Sequence, residues 1–154
     1  MVRRIALLAL LTGSLVTVAA PSATAQATSF TETVQGVTET FPEINPCSGA
    51  TGTVTVTYNG IFHVTEDPQG GFHITGTQTG TFMFVPDDAS EPSFTGRFTT
   101  WFGGNVSTNT DGFWTTFRLK GTGSDGSTLL FNAVEQIHVS NGEVRVEFFL
   151  ENCR

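Results

Sequence analysis

The chain has 154 residues, 14 of them acidic against 7 lysines and arginines, giving a formal charge of −7, together with 17 glycines and 14 phenylalanines. Nucleic acid and anionic membrane surfaces require a basic stripe, and Arg97, Arg118, Lys120, Arg145 and Arg154 are too few and too scattered to form one. Sparse charge combined with abundant Thr, Gly and Phe excludes a disordered chain and points to an extracellular β protein.

The chain opens with Met1-Val2-Arg3-Arg4, continues as an apolar run from Ile5 to Ala20, and reaches small residues at Ala23-Thr24-Ala25 and Ala25-Gln26-Ala27. This is the pattern of a secretory signal peptide, so residues 1–27 are expected to be removed and 28–154 to form a single secreted domain. No later stretch is apolar enough to span a bilayer as a helix. In an exported chain, Cys47 and Cys153 are expected to form one disulfide.

From Phe30 to Phe41 the sequence is strand-like, but its apolar parity changes at Gly36, which predicts a bulge, a bend or a tight turn. This segment adds an edge to a sheet, plugs an end, or splits into two strands. Pro42 to Gly52 is a loop carrying Cys47. From Val54 to Val85 two long strands alternate apolar and polar residues on either side of a turn at Asp67-Pro68-Gln69-Gly70, the period expected of half-buried strands.

A Pro-bounded acidic turn, Pro86 to Pro92, leads to a strand from Phe94 to Phe102 and a loop from Gly103 to Gly112. The next strand starts at Phe113 and reverses at Gly123-Ser124-Asp125-Gly126. Leu129 to Val139 follows, and Asn141-Gly142 is the hairpin signal before Val144, Val146, Phe148 and Leu150, which alternate with Glu143, Arg145, Glu147 and Glu151.

Six strands after residue 52, joined by short connections and with no helix, predict an all-β, up-and-down antiparallel β-barrel of six to eight strands. Gly60, Gly76, Gly80 and Gly96 within the strands permit the bending that a barrel needs. Cys47 and Cys153 fall at the same end of this meander, where one disulfide would close the barrel near its ends. The phenylalanines are expected inside and the threonines outside.

Counting back from the turns places Tyr58 opposite Gln78, Gln78 opposite Thr100, Thr100 opposite Thr115, and Thr115 beside Glu135, all on the phenylalanine face. Such a belt of hydrogen-bonding groups suits a small apolar ligand, while the same five residues could instead satisfy one another in a packed core. No G-x-S-x-G, H-E-x-x-H or P-loop appears, so no catalytic residue is assigned. An enzyme reading, as a cyclase or isomerase, would rest on Glu135 as a base.

His63 and His73 are expected to face each other across the first hairpin, a pair short of a metal site. Asp87, Asp88, Glu91 and Asp125 gather at the Cys47 end, where turn chemistry accounts for them better than calcium. No metal and no cofactor is expected, and no protein partner is indicated.

Through Thr95-Gly96-Arg97-Phe98-Thr99-Thr100-Trp101-Phe102-Gly103 and Gly121-Thr122-Gly123-Ser124-Asp125-Gly126-Ser127, the chain resembles small exported actinobacterial proteins, a resemblance that covers most of residues 28–154 and brings no assigned site. Its architecture is similar to the calycin and allene-oxide-cyclase type of barrel. That resemblance implies a carrier of a small apolar molecule, or a cyclase; a packed barrel acting through its surface is the remaining alternative. The Gly-x-Trp that lipocalins carry near the first strand is missing here.

Overall fold

The computed structural model describes residues 26–107 and 110–154, so nearly all of the expected signal peptide lies outside the described residues. Seven strands follow in chain order: β1 (Thr28–Ile44), β2 (Thr51–Glu66), β3 (Phe72–Pro86), β4 (Phe94–Val106), β5 (Thr110–Gly123), β6 (Thr128–Ser140) and β7 (Glu143–Cys153). Each pairs antiparallel with the next, giving one sheet in the order β1-β2-β3-β4-β5-β6-β7. The meander and its strand-by-strand alternation are those expected. The amino-terminal segment adds an edge strand, with a bulge between Val34 and Val37 where Gly36 takes a φ of 63°.

The sheet coils strongly. Six interstrand spacings of about 4.8 Å would hold the outer strands of a flat sheet roughly 29 Å apart. Yet the loop after β1 and the end of β7 are joined by the Cys47–Cys153 disulfide, with Cα atoms 5.6 Å apart. Close backbone approach assists the bend: a Cβ at Gly96 would run into the Lys120 carbonyl oxygen and Gly121 of the neighbouring strand. Phenylalanines other than Phe148 occupy the concave face, as expected, and Phe82, Phe84, Phe94, Phe98 and Leu129 form the buried cluster at the disulfide end.

The expected closure into a barrel does not occur, because β1 and β7 form no ladder with each other and both remain free edges. With seven antiparallel strands, β1 and β7 run in the same direction, so closure would require one parallel ladder in an otherwise antiparallel sheet. Register also places Glu32, Glu39 and Glu43 of β1 and Glu147 and Glu151 of β7 on the concave face. Closing the gap would drive these like charges together. The disulfide therefore ties the two edges at one end of an open, coiled sheet.

Candidate functional site

The concave face at the disulfide end holds a cavity of about 460 Å³. Its walls are apolar: Phe41 from β1, Val54 and Val56 from β2, Phe82 and Phe84 from β3, Phe98 from β4, Phe117 and Leu119 from β5, and Leu129 and Phe131 from β6. Alternation puts all of these on one face because each ladder keeps directly opposed residues on the same side. The Phe98 and Phe117 rings stack with centroids 6.1 Å apart, and Phe131 tilts against Phe117 at the same separation. Three adjacent strands thus share one aromatic wall.

The loop after β1 forms one end of the cavity through Asn45 and Pro46. Asn45 is buried, and its Oδ1 accepts hydrogen bonds from the backbone N–H groups of Cys47, at 2.9 Å, and Ser48, at 3.2 Å. This Asx turn orders the loop beside Cys47, so the disulfide and the cavity wall depend on the same side chain.

Polar groups enter the cavity at few places. Tyr58 is half-buried and donates its phenol hydrogen to Glu39 Oε1 at 3.1 Å. Burial, followed by the hydrogen bond to Glu39 and that residue's negative charge, pushes the Tyr58 phenol above its ordinary value of 10.0. Gln78, Thr100 and Glu43 also line the cavity. Among the described residues, no lysine or arginine does. Arg97, Arg118 and Lys120 stand on the convex face, where Arg97 is opposite Lys120. The concave face is therefore apolar with a negative fringe.

The expected five-residue belt is divided. Tyr58, Gln78 and Thr100 line the cavity, whereas Thr115 and Glu135 lie on the concave face outside its lining. Gln78 is opposite Thr100 and Thr115 is opposite Glu135, as expected. Two other pairings differ by two residues: Tyr58 is opposite Gly80, and Thr100 is opposite Phe117.

The first shift arises in the turn after β2, which extends to Gly71 because Asp67 Oδ1 accepts from the N–H groups of Gln69, at 2.7 Å, and Gly71, at 3.0 Å. The second arises because β4 and β5 continue to Val106 and from Thr110, through most of the expected 103–112 loop. That connection sits at the end away from the disulfide, and none of its described residues lines the cavity.

The same slip separates the two histidines of the first hairpin. His63 faces Thr75 and accepts or donates at 3.0 Å with Thr31, while His73 faces Thr65. Asp88 and Asp125 lie in turns at the disulfide end and serve those turns, accepting from the backbone N–H and hydroxyl of Ser90 and Ser127. Among the described residues, no group of three or more His, Cys, Asp or Glu side chains is placed to hold a metal ion.

Glu39, Glu43 and Asn45 are the polar lining residues that sequence reasoning missed. The parity change at Gly36 is the signal that could have found the first two, since it turns Glu39 and Glu43 onto the concave side. Asn45-Pro46 is a recognisable turn initiator. No protein-family model, curated protein or solved structure matches this chain.

Proposed function

We propose that this protein is a secreted, calycin-like binding protein that takes a small apolar molecule into the concave cavity, with Tyr58, Gln78 and Thr100 orienting the ligand's polar end. The observation that carries this reading is a cavity of about 460 Å³ whose walls are largely Phe, Val and Leu, with a small set of convergent polar groups. That combination of size and lining is typical of small-molecule sites. Glu39 and Glu43 at the same wall, with no cation opposing them, favour a ligand whose polar end is uncharged or positive over one ending in a carboxylate. The pairing of Thr115 with Glu135 extends the polar surface beyond the cavity on the same face.

The test is saturable binding of N-phenyl-1-naphthylamine, a neutral apolar fluorophore, by the oxidised protein and by Thr100→Trp. The indole would fill the cavity while leaving the strand's convex face untouched. Expected are single-site fluorescence enhancement in the parent protein and its loss in a folded Thr100→Trp variant. Absence of saturation in the parent, or equal binding by both proteins, would overturn the proposal.

A further inference from the structure

The two free edges of the sheet differ in how well they are protected. Both edges carry three carboxylates, but β1 has Pro42, with no N–H to donate, and a bulge at Gly36 in mid-strand, whereas the register shift of β7 lies near its start, beside Val144. β7 has no Pro and no Gly, and every residue from Glu143 to Cys153 is exposed. Val144, Val146, Phe148, Phe149 and Leu150 are each between 47 and 59% accessible. A long apolar strand with an unpaired backbone edge is a template for another strand.

Its exposure follows from a register shift between His138 and Val139. Beyond the shift, Val146, Phe148 and Leu150 stand opposite His138, Gln136 and Val134 on the convex face, rather than among the interior phenylalanines. Trp114 lies in the same row as Phe148 through Gln136, so these side chains continue an apolar patch across the outside of the sheet.

We propose that β7 is a self-association edge, pairing antiparallel with β7 of a second copy about a two-fold axis through Phe148. Leu130 and Arg154 exchange both backbone hydrogen bonds, so the even-numbered residues of β7 beyond the register shift, from Val146 to Asn152, turn their peptide groups toward β6. Glu147, Phe149 and Glu151 therefore direct theirs outward. A two-fold perpendicular to the sheet keeps the convex faces on one side and pairs residues whose numbers have a constant even sum.

The axis at Phe148, the midpoint of Glu143–Cys153, gives the longest overlap and centres the ladder on Val146 to Leu150, the regular stretch beyond the register shift. It sets Glu147 opposite Phe149, Val146 opposite Leu150, and Arg145 opposite Glu151. An axis at Glu147 would place that carboxylate against its own copy, and an axis at Phe149 would place Glu147 against Glu151. Like charges directly opposed across a ladder disfavour both. Arg145 already lies 2.8 Å from Glu143 in an exposed pair, which leaves it free to exchange partners at little cost. Isologous pairing consumes the β7 edge and closes at two chains, which prevents open-ended growth.

The experiment is light scattering on the oxidised protein over a concentration series, combined with two single-cysteine variants. The expected mass rises to two chains, and Phe148→Lys holds it at one chain while leaving the far-ultraviolet circular dichroism unchanged. On the axis, Phe148→Cys would bring the two Cα atoms within about 4.5 to 5.5 Å, inside disulfide range, and should give a covalent dimer on mild oxidation. Phe149→Cys should not, because two such cysteines are offset along the strands. One chain at every concentration, a dimer that survives Phe148→Lys, an assembly larger than two, or cross-linking through position 149 in preference to 148 would each overturn the proposal.

Discussion

Tyr58 donates its phenol hydrogen to Glu39 across the ladder between β1 and β2, at 3.1 Å, and Val37 rather than Glu39 is its direct partner in register. The contact is diagonal, within the reach expected of two long side chains on one face. It joins an edge strand to the polar end of the cavity.

Tyr58 is the single tyrosine of the chain, so an absorbance titration near 295 nm reports this phenol alone. Burial, and after it the hydrogen bond and charge of Glu39, raise the folded-state pKa above 10.0. The expected midpoint lies above that of the urea-unfolded chain, and Glu39→Gln should move it back down. The sign for stability follows from the raised value. The contribution is fully present below the unfolded pKa and is lost as pH rises through the folded one, so Glu39→Gln, with a smaller shift, should lose less stability over the alkaline window and converge on the parent protein. A folded-state midpoint at or below the unfolded one would contradict the contact.

The Cys47–Cys153 disulfide spans 106 residues, and in the chain-entropy model a loop of that length stabilises by about 4 to 5 kcal/mol as an upper guide. Because the bridge anchors the loop holding Asn45 and Pro46, its removal should affect the cavity as well as the unfolding equilibrium. Cys47→Ser/Cys153→Ser is expected to unfold at markedly lower urea and to bind the naphthylamine probe more weakly in its native baseline. Equal urea midpoints for the two proteins would show that the bridge contributes nothing.

Much of this fold was legible because Thr, Val and Phe alternate over long stretches, and Asn141-Gly142 and Gly123 to Gly126 mark tight reversals that need no tertiary information. Two properties were not legible. Registers slipped by two residues wherever a turn was longer or shorter than its composition suggested, as at Asp67, whose carboxylate recruits the Gly71 N–H into the turn. Parity on β7 was lost because the bulge beside Val139 has no glycine or proline to announce it, so an alternation that reads as inward-facing carries Val146, Phe148 and Leu150 outward. Closure was overestimated because local alternation carries no information on whether the first and last strands meet. Of the expected belt, Tyr58, Gln78 and Thr100 reach the cavity, and Glu39 enters it through the bulge at Gly36, where a bulge, a bend or a tight turn was expected but its consequence was not.

Core and edge should respond differently to truncation. Phe84 is 3% exposed within the buried cluster, and Phe84→Ala is expected to cost about 3 to 5 kcal/mol through lost burial and the cavity left behind. Ile61 is 57% exposed on the convex face, and Ile61→Thr, which retains β-branching, should change stability by less than about 0.5 kcal/mol. Urea denaturation of both variants at one protein concentration makes the comparison. Similar losses at the two positions would mean that the convex face is covered in solution.

The acid limb of the stability profile should report two turns at the disulfide end. For Asp88, the backbone N–H of Ser90 and then its hydroxyl hold the carboxyl below its ordinary 3.8; for Asp125, the Ser127 hydroxyl and then its N–H do the same. A depressed folded-state pKa contributes stability that is present above the unfolded value and lost as pH falls through the folded one. The melting temperature of the parent protein should therefore drop as pH falls below about 4, beyond any general effect of charge.

Asp88→Ala/Asp125→Ala should melt lower at neutral pH and lose less over that acid window, so that the two curves converge. Both side chains are solvent-facing, and the convergence rather than its size is the diagnostic, because screened surface interactions are small and vary with salt. Parallel curves over the whole pH range would mean that these turns hold their shape without the carboxylate bonds.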